Sequence, residues 1–273
     1  MYALSVIMAT YNENPVFLGK CMDSVLNQTF RNFEFIIAVE PNEANINFLK
    51  NIVNTDKRIK ILENETRLGV SASRNRAILK SSAKYIALID GDDFCALDRF
   101  EKQIAFLEKN PDINIVGSNL FLIDWNNNIV GERSYPELHN DIKRYFLQTM
   151  AIANPTVMTR KKDLEEVGLF DSQFTKAEDV ELWLRFLAKG KKMGNLQDKL
   201  VYHRGQANSN AKRGHMHYKN FYIARKRYSR FIWPFPQRFL SLFFYFIFAN
   251  IPNFLLDILV NLNIVNRIKK IKK

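Results

Sequence analysis
Along the first third of the chain, short apolar runs alternate with stretches whose apolar residues recur at helical spacing. The run 3–9 (ALSVIMA) is rich in β-branched residues and stops at the polar TYNENP, which predicts a buried strand. From Val16 to Asn27, the residues Leu18, Met22, Val25 and Leu26 fall near one helical face. FEFIIAV at 33–39 predicts a second strand, closed by Glu40-Pro41-Asn42. A helix around 43–54, a strand at Ile59–Leu62, a helix at Ser71–Ser81 and the strand KYIALI at 84–89 continue the series. Strands alternating with helices predict an α/β fold: a mostly parallel central sheet flanked by helices, with right-handed crossovers.

Further along, a helix is expected from Asp98 to Lys109. Strands at Ile113–Ile123 and Ile129–Arg133 flank a turn at Asn126-Asn127-Asn128. Residues 138–149 read as helical, Pro155–Arg160 as a strand and 178–189 as a helix. Thr175-Lys176-Ala177-Glu178 has the form of a capping box opening that last helix. The intensely apolar run 239–249 (FLSLFFYFIFA) is eleven residues long, and Asn250, Pro252, Asn253 and Asp257 break the pattern beyond it. A spanning helix needs about 20 apolar residues, so a segment lying on or dipping into a bilayer is expected instead.

Charge divides the chain in two. The net charge is +12, yet residues 1–198 hold 25 basic and 27 acidic residues, while Lys199 onward holds fifteen basic residues and one acid, Asp257. This predicts a catalytic domain over 1–205 and a basic, partly apolar helical tail over 206–273. Arg225-Lys226-Arg227, Arg230 and the terminal RIKKIKK flank the apolar run, a pattern suited to an anionic membrane surface. The alternative is a helix pair packed on the catalytic domain or on a partner subunit. Hydrophobic residues at 47% exclude a disordered or collagen-like chain, and two cysteines, Cys21 and Cys95, provide no disulfide framework. The opening MYALSVIMATYN lacks the basic and long apolar regions of an export signal. The expected location is therefore cytoplasmic, peripheral to the inner face of the cell membrane; nothing indicates the oligomeric state.

In parallel sheets, ligands sit at the carboxyl ends of the strands. Three polar clusters fall there: Thr10-Tyr11-Asn12, Glu40 and Asp90-Gly91-Asp92-Asp93. Three carboxylates within four residues repel one another unless a cation shares the site. Mn²⁺ or Mg²⁺, bound by one or two carboxylates and substrate phosphates, would relieve that repulsion. The alternative is a solvated acidic turn in which Asp90 or Asp93 caps a helix.

The run SVIMATYNE, SVLNQTF, FEFIIAVE, RLGVSASRN, YIALIDGDD, GLFD and AEDVELWLR closely resembles the inverting family 2 glycosyltransferases, which have the nucleotide-diphospho-sugar transferase (GT-A) fold. The likeness spans about residues 3–205 in the family's order. It implies that Asp92 and Asp93 meet the ribose and the metal–diphosphate, Asp93 being the favoured metal ligand, with Asp90 shaping the loop. It implies a nucleotide base beside Thr10 and Tyr11, with the Tyr11 ring offered for stacking. Glu40 would accept the imide N–H of uracil or thymine. Many relatives carry two aspartates where this chain has Val39-Glu40.

Arg74 and Asn75 are expected to line the nucleotide or diphosphate pocket, and Arg74 and Arg76 cannot both point inward. Asp179, in the first turn of its helix, is the implied general base. Glu178 is accounted for by the capping box. His203 is a candidate late contact to metal or diphosphate. No QxxRW is present, which favours transfer of a single sugar. The implied partners are a nucleotide-sugar donor, a saccharide or lipid-linked acceptor and an anionic membrane surface.

Two other classes compete. A sugar-1-phosphate nucleotidyltransferase would carry a Gly-rich basic loop near the first strand, and ATYNENP is neither. A basic nucleic-acid-binding protein would carry isolated aromatic platforms, whereas the tail's apolar residues form continuous runs, so no nucleic-acid partner is expected.

Overall fold
A computed structural model of the chain describes residues 2–53, 55–205 and 214–251. Strands β1 (Leu4–Thr10), β2 (Phe33–Val39), β3 (Ile59–Glu63) and β4 (Tyr85–Leu88) pair in parallel in the order β3-β2-β1-β4. Every residue of β2 is buried, as a strand covered on both faces requires. Successive side chains point to opposite faces. Ile7, Ile36 and Ala38 join one core, and Val6, Met8, Phe35 and Ile37 join the other.

The helices α1 (Pro15–Leu26), α2 (Glu43–Val53) and α3 (Val70–Lys80) make the crossovers. Asn14 caps α1 through the Val16 amide, and Pro15 fills its first turn, where no donor is needed.

The second half of the sheet is mixed. β5 (Phe94–Cys95), β6 (Ile113–Ile123), β7 (Ile129–Arg133), β8 (Met158–Arg160) and β9 (Lys192–Arg204) extend it in the order β4-β8-β6-β9-β5, with β7 on β6. Only β6 and β9 run parallel there; the other pairs are antiparallel. The expected hairpin turn is present: Asp124 Oδ1 accepts from the Asn126 and Asn128 amides, and Asn127 takes φ +67°. The strand expected at Pro155–Arg160 is reduced to β8 and preceded by a 3₁₀ turn, Asn154–Thr156.

Helices α4 (Arg99–Lys109), α5 (His139–Tyr145), α6 (Lys161–Val167) and α7 (Glu178–Ala188) complete the body. The capping box is not formed. Ala177, with φ +59°, occupies the N-cap of α7 and no side chain caps it, while Glu178 pairs with buried Arg74.

The described part of the tail is two helices, α8 (Gly214–Ile232) and α9 (Phe235–Asn250). They dock on the body rather than standing apart: Phe221, Ala224, Ile232, Trp233 and Tyr245 share one core with α7. Asn220 donates to Lys176 O, Tyr228 to Glu181, and Trp233 to Lys143 O. Among the described residues no helix is long and apolar enough to cross a membrane. The RIKKIKK end lies outside the described residues.

Candidate active site
The carboxyl ends of β1 and β2 open into a cleft of about 540 Å³ lined by Thr10, Tyr11, Glu13, Glu40, Arg67 and the start of α3. Glu40 is buried and its carboxylate is largely engaged. Oε2 accepts from Leu68 N (2.8 Å), and Oε1 accepts from Gly69 N (2.8 Å) and Ser73 Oγ (2.6 Å). Gly69 takes φ +85° there, a backbone geometry that disfavours side chains. Three of the four carboxylate lone pairs are thus filled, leaving one for a ligand. The Arg67 guanidinium lies 4.1 Å over the Tyr11 ring, so the cleft presents a Tyr–Arg pair rather than a bare phenol.

Glu13 belongs to this cleft, although its sequence context carries no signal for it. It accepts from Thr10 Oγ1 and from Tyr11 N, and its Cγ lies 3.2 Å from where a Cβ on Gly91 would sit. It therefore braces this cleft against the acidic loop, where a side chain at Gly91 would press on Glu13.

Asp90-Gly91-Asp92-Asp93 lies directly after β4. Asp93 is wholly buried; its Oδ1 accepts from Arg204 N (2.7 Å), and its Oδ2 lies 2.9 Å from His203 Nδ1. Burial works against charge on His203, but Asp93 outweighs it and raises the imidazole above its ordinary value. Burial also raises Asp93, partly offset by His203. Asp92 is partly exposed. Burial, with Asp93 and Asp90 beside it, pushes its carboxyl up to about 7. Arg204, another residue without a sequence signal, ties this loop to the β6–β7 turn. Its guanidinium donates to Asp92 O (2.9 Å), Asp124 O (2.7 Å) and Asn127 Oδ1 (2.7 Å).

Among the described residues, no three His, Cys, Asp or Glu side chains converge as a complete metal cage. The donor set instead fits a hard cation that takes one or two protein ligands and completes its shell with phosphate and water. Asp92 supplies a partly exposed carboxylate, raised by burial first and then by the negative charge of Asp93 and Asp90 beside it.

A second cleft of about 430 Å³ shares Thr175 with the first and is lined by Asp90, Asp179, Glu178, His203, Arg133, Asn154 and His217, among others. Arg74 lines this second cleft and ties the acidic loop to α7. It is buried, with Nη2 2.6 Å from Asp90 and Nη1 2.9 Å from Glu178. Burial opposes its charge, and Asp90, Glu178 and Asp179 more than restore it, raising its value. Arg76 points outward to Glu63 O and Asn64, so the two arginines divide as expected. Asn75 departs from expectation: its amide exchanges two hydrogen bonds with the Phe170 backbone, and it lines neither cleft. Asp179 stands in the first turn of α7 and accepts from Val180 N (2.8 Å).

A curled mixed sheet flanked by helices, with acids gathered at the end of β4, defines a glycosyltransferase of the GT-A fold. The family model for Glycosyl transferase family 2 matches residues 5–168, and the chain belongs to that family. It is 32% identical over 271 residues to an uncharacterised glycosyltransferase of Methanocaldococcus jannaschii, covering 95% of this chain and 93% of the relative. It is 33% identical over 186 residues to the Escherichia coli UDP-Glc:α-D-GlcNAc-diphosphoundecaprenol β-1,3-glucosyltransferase WfgD, covering 68% and 70%. Its fold is shared by the mannosyltransferase PcManGT of Pyrobaculum calidifontis, solved with GDP-Man and Mn²⁺. That match has a TM-score of 0.67 and 14% identity, over 97% of this chain and 75% of that one.

Proposed function
We propose that this glycosyltransferase moves a single sugar from a UDP- or dTDP-sugar to a hydroxyl of a saccharide or lipid-linked acceptor, with inversion and with Mn²⁺ or Mg²⁺. Surface polysaccharide synthesis at the cytoplasmic face of a membrane is the setting that suits it. The observation that carries the reading is the meeting of two clefts at Thr175, one lined by Thr10, Tyr11 and Glu40 and one by Asp90 and Asp179. The reaction of WfgD supports a diphospho-lipid acceptor, and PcManGT with Mn²⁺ supports the metal.

In this reading Thr10, Tyr11 and Glu40 receive the base, and the diphosphate lies toward Asp92. We assign cation contact to Asp92, assisted by Asp90, because Asp93 is buried and holds His203 and the β9 backbone. The bound cation would neutralise charge on the departing diphosphate. His203, fixed at Nδ1, presents its other nitrogen for a diphosphate or metal contact. Arg74 neutralises Glu178 and Asp90, which assigns the base role to Asp179. That carboxylate, favoured in its ionised form by the α7 N-terminus, takes the proton of the acceptor hydroxyl as its oxygen attacks the anomeric carbon. The carbon–diphosphate bond breaks on the opposite side, and the configuration inverts.

A thermal-shift screen of UDP, dTDP, GDP and CDP, each with and without Mn²⁺, tests the donor side. A ligand at a hundred times its dissociation constant stabilises the fold by about 2.7 kcal/mol. UDP or dTDP should raise the melting temperature only when Mn²⁺ is present. Indifference to every diphosphate would reject the reading.

A further inference from the structure
Helix α9 has two unlike faces. Ser241, Tyr245, Phe248 and Ala249 are buried against the body, and the Ser241 and Tyr245 hydroxyls donate to Leu147 O (2.7 Å) and Gln148 O (2.6 Å). The opposite face carries Phe235, Phe239, Leu240, Phe243, Phe246 and Ile247, each 41–64% exposed. Phe235, Phe239 and Phe243 stand one helical turn apart, with ring centroids 5.9 and 6.2 Å apart in a stacked row. Phe231, at the end of α8, is 58% exposed. Single exposed apolar residues are ordinary, but a continuous phenyl ridge marks an interaction surface.

Charge identifies what covers it. Gly214–Asn250 contains six Lys or Arg and neither Asp nor Glu. The guanidinium of Arg230 lies 4.5 Å over the Phe231 ring and that of Arg238 lies 5.4 Å over Phe235, so cations stand beside the ridge. A second copy of the chain would bring like charges together around the phenyl rows. An anionic bilayer meets both demands: rings enter the acyl boundary while guanidinium groups stay among the phosphates.

We infer that the outer face of α9, with the end of α8, seats the enzyme on an anionic lipid surface, α9 lying in the plane of the interface. This names the surface and the lipid chemistry, which the proposed membrane setting leaves open. Phe221 of α8 lines the cleft that holds Asp179 and stacks on Tyr245 of α9 at 5.4 Å. The cleft is thus one helix away from the bilayer; for a lipid-linked acceptor, an element that rests on the proposed transfer reaction, the route to Asp179 is short.

Deleting α9 would uncover Phe221 and Trp233, so point substitutions are the informative test. The full chain should co-sediment with vesicles of equal parts phosphatidylglycerol and phosphatidylcholine, and far less with phosphatidylcholine alone. Phe239→Ser with Phe243→Ser should lower the partition coefficient by roughly 100-fold or more, since two phenyl groups lose their apolar burial. Arg230→Gln with Arg238→Gln should lower it about 30-fold and blunt its salt dependence. Both variants should keep the wild-type melting temperature and nucleotide-diphosphate binding. Absence of wild-type binding, undiminished binding by the phenylalanine variant, or a solution dimer that this variant dissolves would each overturn the inference. Loss of nucleotide binding alone would strike only the proposed reaction.

Discussion
The two halves of the sheet are held together by different means. In β3-β2-β1-β4 the three inner strands are short apolar runs buried on both faces, with the more exposed β3 at the edge, and hydrophobic burial dominates their pairing. In the mixed half, β9 carries the polar centre GNLQDK and is fixed by pairing along β6. The proposed chemistry lies on the seam between the halves, where polar contacts bind one to the other. Asp93 holds His203 and Arg204 of β9, and Arg74 of α3 holds Glu178 of α7. In the proposed reaction, a half that folds by burial would thus supply the nucleotide end, and a half tied on by buried charge would supply the base.

Breaking the seam should therefore cost more than perturbing the docked tail. The largest effect is expected for Asp179→Asn, because a general base contributes about 10²–10⁴-fold to rate. Steady-state transfer should fall by that factor while UDP binding with Mn²⁺ stays normal; ordinary turnover would remove Asp179 as the base.

Arg74→Met comes next. It strands two carboxylates at a buried site, and breaking a buried ion pair costs about 3–5 kcal/mol. Denaturant unfolding should report a loss of that order. A loss no larger than that of a surface arginine would mean the halves are joined elsewhere.

A subtler probe is Asp92→Asn. A carboxyl raised to about 7 binds its proton more tightly in the folded state. Its contribution to stability is full below the usual carboxylate range and is lost as pH rises to about 7. Melting of metal-free protein should therefore decline less with pH in the asparagine variant than in wild type. Nucleotide stabilisation by Mn²⁺ should weaken in wild type as pH falls through about 7, because ligands must be deprotonated, and should be absent from the variant. Parallel melting curves would show that Asp92 does not titrate there.

The smallest change is expected in the tail. Arg225 of α8 is wholly buried and, among the described residues, has no carboxylate partner. Among those residues it makes one hydrogen bond, to Phe146 O, and lies 3.9 Å over the Tyr245 ring, while its Nε and Nη1 have none. Replacing a buried charge by an apolar side chain of similar length is often neutral or stabilising. Arg225→Met should shift unfolding by about 1 kcal/mol or less, and a loss like that of Arg74→Met would erase the contrast between seam and tail.

Much of this molecule is fixed by local pattern. The burial period and turn residues specify β1 to β4 with α1 to α4, and the acidic turn at 90–93 falls at a strand end because the alternation places it there. Asp179 likewise takes its position from the start of an amphipathic helix. What the chain order could not give are contacts between residues remote in sequence. β9 has no apolar period of its own and exists through hydrogen bonds to β6. Glu13 and Arg204 become site residues only when the loops after β1, β4 and β6 converge. Ala177 displaces the expected capping box because Glu178 has a buried partner 104 positions away. The division of labour between Asp92 and Asp93 is also a matter of burial, which neighbouring identical residues cannot reveal. Periodicity and local propensity act within a few residues, so they determined the elements; solvation and charge pairing act through space, so only the folded chain decided which polar groups meet.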